Sequence, residues 1–120
     1  MKGTHDRIRK ILVGCGKMDR SSQKLLYEEF YAYGMSICLR YADTRDEAAV
    51  ILNDGFMKIF TNIKQFDLSK PLKPWLRKVI VNTAINHYRQ KQREIQAEDM
   101  EKAAHESEVE SIISGFSYQE

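Results

Sequence analysis

Residues 74–89 read PWLRKVIVNTAINHYR, and most of the predicted fold follows from this stretch. Apolar residues recur in it at intervals of three and four, the spacing that places side chains on one side of an α-helix. We therefore predict a helix over residues 74–93. Pro74 fits its first turn, because an amide at that position has no intrahelical acceptor. The predicted buried stripe consists of Trp75/Leu76, Val79/Ile80, Thr83/Ala84 and Tyr88.

The same periodicity predicts further helices before this one. A short helix over residues 6–13 is expected to stop at Gly14-Cys15-Gly16, and a second helix runs from a Ser21/Ser22 cap to residue 42. Residues 66–73 are predicted to form a loop, because Pro71 and Pro74 remove amide donors and disfavour helix in the residues before them. The stripe of the second helix is Leu26, Phe30, Tyr33, Ile37 and Tyr41.

The third helix has the clearest start signal in the chain. Thr44-Arg45-Asp46-Glu47 is a capping box, in which the threonine hydroxyl and the glutamate carboxylate each accept a free amide at the helix start. Its predicted buried stripe is Ala48, Leu52, Gly55/Phe56, Ile59 and Ile63. The chain is therefore expected to be all-α, a compact three- to four-helix bundle.

Charge is segregated along the sequence. Residues 70–93 hold seven basic side chains and no acidic one, whereas residues 94–120 hold eight acids and one lysine. Asn82, Asn86 and Gln90 follow one another at four-residue intervals among the cations, so amides that can hydrogen-bond bases share a helix face with groups that can bind phosphate. This pattern indicates a surface that binds a polyanion and favours nucleic acid as the ligand. Residues 94–120 are expected to form an acidic tail.

Several classes of protein do not fit the sequence. The longest apolar runs are far shorter than the roughly 20 residues that span a bilayer, and charged residues crowd the region after Met1, so we expect a cytoplasmic protein with no membrane contact. Cys15 and Cys38 are then expected to be reduced thiols. The cysteines and histidines have no metal-ligand spacing, and we expect neither a metal nor a cofactor.

A second surface is predicted on the third helix. Val50, Asn53, Asp54 and Met57 lie at three- and four-residue spacing, opposite the buried stripe. One interpretation is an ordinary solvated helix face. The other is a docking surface for the helices of another protein, to which Asp54 would supply a charged contact and Met57 an adaptable apolar one.

Two segments resemble bacterial sigma factors of the extracytoplasmic-function (ECF) group. Asn53-Asp54-Gly55-Phe56 is similar to their Gln-Glu-x-Phe signature, and residues 74–89 are similar to their Trp-Leu-x-x-Ile-x-x-Asn-Thr-Ala-x-(Asp/Asn)-x-x-Arg run. The spacing between the two segments also matches. The resemblance covers residues 23–93 and implies region 2 of a sigma factor, an all-helical domain of a transcription initiation factor.

The resemblance implies two binding tasks. One face would dock on the clamp helices of the RNA polymerase β′ subunit, and the loop and fourth helix would recognise and melt the promoter minus-ten element through its single-stranded non-template strand. It also allows an anti-sigma factor as a partner. The implied polymerase-binding residues are Val50, Asn53, Asp54 and Met57. The implied DNA-binding residues are Phe66, Ser69, Lys70, Lys73, Lys78, Asn82, Asn86, Arg89 and Arg93. The resemblance also implies that a base flipped out of the duplex is held in a pocket formed by the loop and Asn82.

The expected organisation is a short N-terminal helix and loop over residues 1–20, the sigma region 2 domain over residues 21–93, and an acidic linker over residues 94–120. The second domain of the family, which binds the minus-thirty-five element, is expected to be absent, so we expect a truncated chain or a proteolysed fragment. An alternative is a helical protein-interaction module whose basic face binds acidic partners. An enzyme that uses His87 or Asp54 is not expected, because no base, nucleophile and orienting group converge in the sequence.

Overall fold

A computed structural model describes the backbone of residues 2–117 and the side chains of residues 6–115. Its helices are α1 (Lys2–Gly16), α2 (Arg20–Cys38), α3 (Arg45–Asn62) and α4 (Leu72–Ser117), with a 3-10 helix at Ile63–Gln65. No strand occurs in this part of the chain, so the predicted all-α fold is confirmed. Residues up to His87 form one compact unit, and residues from Tyr88 form a second.

The turn between α1 and α2 differs from the prediction. Helix α1 does not stop before Gly14 but continues to Gly16. A Cβ on Gly14 would overlap the side chain of Ser22 in α2. Glycine is thus needed here for a close approach rather than as a breaker. The predicted serine cap is also wrong: Asp19 is the N-cap, and its carboxylate accepts the Ser22 amide at 3.2 Å and the Ser22 hydroxyl at 2.7 Å.

Helix α2 ends at Cys38, four residues before the predicted end. The amides of Arg40 and Tyr41 donate to the carbonyls of Ile37 and Cys38, three residues back, at 3.1 and 3.0 Å. Hydrogen bonds to the carbonyl three residues back replace the α-helical pattern here, so the chain leaves α2 through turns, as is common at helix ends.

The capping box of α3 is confirmed. The Thr44 hydroxyl oxygen accepts the Glu47 amide at 3.1 Å. The Glu47 carboxylate in turn accepts the amide of Asp43, one residue before the cap, at 3.0 Å. The Glu47 amide is one of the donors that the first helical turn leaves open, whereas the Asp43 amide lies before the cap. Bonding both fixes where α3 begins.

The core of the first unit is formed by α1, α2, α3 and the first part of α4. The predicted α3 stripe is buried throughout, and Leu76, Ile80, Thr83 and Ala84 of α4 are also buried. Thr83 satisfies its hydroxyl within its own helix, where it donates to the Val79 carbonyl at 2.8 Å. Tyr88 departs from the prediction, since 49% of it is exposed.

Helix α4 is longer at both ends than predicted. It begins at Leu72 rather than Pro74, and Pro74 still lies in the first turn, where it is tolerated. It continues to Ser117, so the expected acidic tail is helical. The physical reason is composition: residues 75–114 contain no proline or glycine, and alanine, glutamate, glutamine and lysine are strong helix formers.

Cys15 of α1 and Cys38 of α2 are both buried, and neither forms a disulfide. Burial, with a smaller contribution from Asp19, raises the pKa of the Cys15 thiol to about 11, and burial raises that of Cys38 to about 11. Both side chains are therefore protonated core fillers at neutral pH. In the described residues no helix has the length and apolar character needed to cross a membrane, and no cluster of histidine, cysteine and carboxylate side chains could bind a metal ion.

Candidate nucleic-acid interface and docking face

The outer side of α4 in the first unit carries Lys78, Asn82 and Asn86. Their four-residue spacing places them on one face, and the burial of Leu76 and Ile80 turns that face away from the core. All three are exposed, and within the described residues Lys78 forms no ion pair. The amide of Asn82 is therefore accessible to a ligand, with a cation one helical turn before it.

Lys73 lies on a different side of the same helix. Nine residues separate it from Asn82, which corresponds to roughly half a turn of rotation about the helix axis. Its ammonium group lies 4.4 Å from the ring centroid of Tyr33 in α2, a cation–π contact. The predicted site residues therefore divide between two sides of α4, which the charge pattern of the sequence did not indicate.

The loop before α4 is ordered by its own side chains. The Asp67 carboxylate accepts the Ser69 amide at 2.9 Å and the Ser69 hydroxyl at 2.7 Å, and the Lys70 amide donates to the Asp67 carbonyl at 3.0 Å. This is an Asx-type turn. Ser69 and Lys70 are exposed, so the turn presents both to solvent, with the Ser69 hydroxyl already engaged.

The turn should depend on pH through Asp67. The hydrogen bonds from the Ser69 hydroxyl and amide, aided by Lys70, lower the pKa of Asp67 below its ordinary value of 3.8. The pKa of Asp67 is lower in the folded state than in the unfolded state. The stabilisation that Asp67 gives to the turn is therefore complete above its unfolded-state pKa, and it is lost as the pH falls through its folded-state pKa. We expect an NMR titration to place the Asp67 pKa below 3.8 and Ser69→Ala to raise it. An unchanged pKa in the Ser69→Ala variant would contradict this assignment.

Phe66 is a correction to the predicted site. It is only 8% exposed, and its ring centroid lies 5.1 Å from that of Trp75, a tilted aromatic contact. The ring closes the core beneath the loop and is not available to stack on a base. The sequence predicts that Phe66 lies in the loop, but it does not indicate whether the ring points toward the core or toward solvent.

An apolar cleft of about 440 Å³ lies beside the loop, between it and the first two helices. Ile8, Leu12 and Phe30 contribute apolar surface, and Asn82 is not among the lining residues. The other lining residues are Arg9, Glu29, Leu68, Ser69, Lys70, Pro71, Leu72 and Lys73.

The predicted docking face of α3 is exposed. Val50 and Met57 are 55% and 65% exposed, and Asn53 and Asp54 lie between them on the same side of the helix. The buried stripe of α3 points the other way, which leaves these four side chains in solvent. Two exposed apolar residues, an amide and an acid therefore lie together on one side of α3.

Two residues that sequence reasoning did not connect to this face contact it. The Tyr27 hydroxyl of α2 donates to Asn53 Oδ1 at 3.1 Å. His87 Nε2 of α4 lies 2.6 Å from Asp54 Oδ2. A carboxylate only accepts, so the ring nitrogen carries the proton. The only sequence signal for these contacts was that Tyr27 and His87 are polar-tipped rings next to core positions.

The second unit holds the remaining two predicted site residues. Arg89 and Arg93 are exposed in it, and the Gln90 amide group donates to Glu94 Oε1 at 3.4 Å. Arg89 and Arg93 are four residues apart and share a face of the helix.

Comparison with known proteins identifies the family. The sigma-70 region 2 family model matches residues 26–94. The chain is 27% identical to the ECF RNA polymerase sigma factor SigM of Bacillus subtilis (strain 168), over 74% of this chain and 63% of that protein, so it spans less than two thirds of the relative's length. The fold is similar to an engineered region 2 of sigmaE in an NMR structure with GTAAAA, with a TM-score of 0.66, 23% identity and coverage of 72% of this chain and 90% of the other. The resemblance noted in the sequence is thus confirmed, and the chain belongs to the sigma-70 region 2 family.

Proposed function

We propose that this chain docks on core RNA polymerase through α3 and binds the single-stranded non-template strand of the promoter minus-ten element through α4 and the loop before it. The observation that carries the proposal is the exposed Lys78–Asn82–Asn86 face, in a chain of the sigma-70 region 2 family. It joins phosphate-binding and base-reading chemistry on one helix side.

The DNA-binding part follows from side-chain chemistry. An asparagine amide both donates and accepts hydrogen bonds, so Asn82 can read the edge of an unpaired base. Lys78, one helical turn before Asn82, can bind a phosphate, and so can Lys70 of the loop. Within the second unit, Arg89 and Arg93 are two further exposed cations that can do so. Holding a base out of the duplex must offset a few kcal/mol of lost stacking and pairing, which hydrogen bonds to the base and contacts to the strand would supply.

The docking part follows from the α3 patch. The β′ clamp helices are the proposed partner. Asp54 would form an ion pair with a basic side chain of the partner, and Val50 and Met57 would make apolar contacts with it. A well-packed centre with a charged contact is typical of interfaces in which few residues carry the binding energy. No catalytic chemistry is assigned to Asp54 or His87 in this function.

The base-reading role can be tested by comparing Asn82→Ala with Arg93→Ala in the full chain. The probes are labelled single-stranded GTAAAA, the DNA held by the engineered sigmaE region 2, and six versions with one base changed. We expect Asn82→Ala to lose about 1–3 kcal/mol of discrimination at one position and little elsewhere. Arg93→Ala should weaken binding to all seven probes alike and reduce the salt dependence by about 0.7 in log–log slope. Fluorescence anisotropy measures both.

Lys58→Ala is the matched control, because it removes an exposed cation from α3 rather than from α4. It should leave both discrimination and salt slope close to wild type. If Asn82→Ala and Arg93→Ala weakened every probe by the same factor, Asn82 would not read a base. If the wild-type chain showed no preference among the probes, the alternative of a basic face that binds acidic partners would be favoured.

A further inference from the structure

Asn53 and Asp54, the polar pair of the docking face, are each held by a side chain from another helix. Tyr27 of α2 donates to Asn53 at 3.1 Å, and His87 of α4 contacts Asp54 at 2.6 Å. These two neighbours in sequence are thus each held by a different helix, Asn53 by α2 and Asp54 by α4.

Tyr27 is itself firmly placed. Its ring centroid lies 4.9 Å from that of Phe56 and 5.5 Å from that of Tyr31, so the hydroxyl projects from a packed aromatic cluster. Burial, and to a smaller extent Tyr31, raises the pKa of the Tyr27 phenol above its ordinary value of 10.0. The group therefore stays protonated at neutral pH and remains a donor to Asn53.

His87 leaves Asp54 available to a partner. The histidine side chain is 33% exposed, whereas that of Asp54 is 51% exposed, so the ring is the more covered member of the pair. The ring contacts Oδ2, and a carboxylate accepts at both oxygens. Asp54 can therefore bind a cation from a partner while His87 still holds it.

We infer that Tyr27 and His87 are positioning residues for polymerase docking, which hold Asn53 and Asp54 in the side-chain conformations that bind. This inference rests on the proposed docking function of α3. Its physical basis is preorganisation: a side chain fixed before binding loses less conformational freedom when the complex forms. Neither residue needs to touch the polymerase.

The test is the affinity of the full chain for core RNA polymerase. His87→Ala and Tyr27→Phe should each weaken it about three- to tenfold, the range expected when one hydrogen bond to a polar or charged group is removed. His87→Gln keeps an N–H donor and should recover most of the loss. Tyr31→Phe is the matched control, since it removes a hydroxyl from the same aromatic cluster and should leave the affinity unchanged. Thermal unfolding of each variant verifies that it is folded.

A double-mutant cycle separates positioning from other roles. If His87 acts through Asp54, His87→Ala should cause no further loss in an Asp54→Ala chain, and Tyr27→Phe none in an Asn53→Ala chain. Additive losses would overturn the inference. A loss with Asp54→Ala but none with His87→Ala would also overturn it and leave the proposed docking intact. No loss with Asp54→Ala would overturn the docking proposal and this inference together.

Discussion

Phe56→Ala is expected to lower the free energy of unfolding by about 3–5 kcal/mol. Phe56 is 2% exposed and is among the largest fully buried side chains of the described residues. Its ring contacts Tyr27 at 4.9 Å and Phe60 at 5.8 Å between centroids, so truncation opens a cavity and removes two aromatic contacts. Because small domains are stable by about 5–15 kcal/mol, this change would remove a large part of the total. Urea unfolding followed by circular dichroism measures it.

Met57→Ala is the control for this experiment. It truncates the next residue of the same helix, but Met57 is 65% exposed, so the change should stay within about 0.5 kcal/mol. Phe56→Leu provides a milder variant if the alanine variant does not fold, and it should fall between the other two. Equal effects of Phe56→Ala and Met57→Ala would mean that the α3 stripe does not form the core.

Asp54→Lys is expected to weaken binding to core RNA polymerase by at least thirtyfold. If the partner places a cation against Asp54, reversing the charge puts like charges together, which costs several kcal/mol at an interface. It also removes the carboxylate that His87 contacts. Binding of labelled chain to purified core polymerase gives the change in Kd directly.

Two controls separate this effect from net charge. Asp6→Lys makes the same change of charge at an exposed position of α1 and should leave polymerase binding nearly unchanged. Asp54→Asn keeps the shape of the side chain and should cause a smaller loss than Asp54→Lys. If Asp6→Lys and Asp54→Lys had equal effects, the interaction would be a general electrostatic attraction and not docking on α3.

Periodicity predicted the helices and most of the core correctly. The α3 stripe and its capping box are local features, set by side chains three to four residues apart, and such features are encoded in the sequence itself. Helix ends were less predictable. The sequence predicts Gly14 as a helix breaker, and only the approach of Ser22 shows that its missing side chain allows two helices to pack.

In the candidate site, too, some features were predictable from the sequence and others depend on tertiary structure. The exposure of Asn82 follows from the helix period and the apolar stripe, so the sequence was sufficient to predict it. The direction of Phe66 was not predictable, because a loop residue has no periodicity and its burial depends on a contact with Trp75. The position of Lys73 on a different side of α4 from Asn82 was not predictable either, because the sequence predicts Lys73 in the loop and only the structure shows that α4 begins at Leu72. The contact of Lys73 with Tyr33 likewise depends on tertiary packing.

The sequence by itself therefore determined the all-α class, the segregation of charge and the family signature, because these depend on composition and on short, regular spacing. Tertiary structure decided which polar groups meet. Tyr27 lies 26 positions from Asn53, and Asp54 lies 33 from His87, so only the packing of α2 and α4 against α3 brings them together. Contacts of that separation depend on where whole helices pack, which no local pattern specifies.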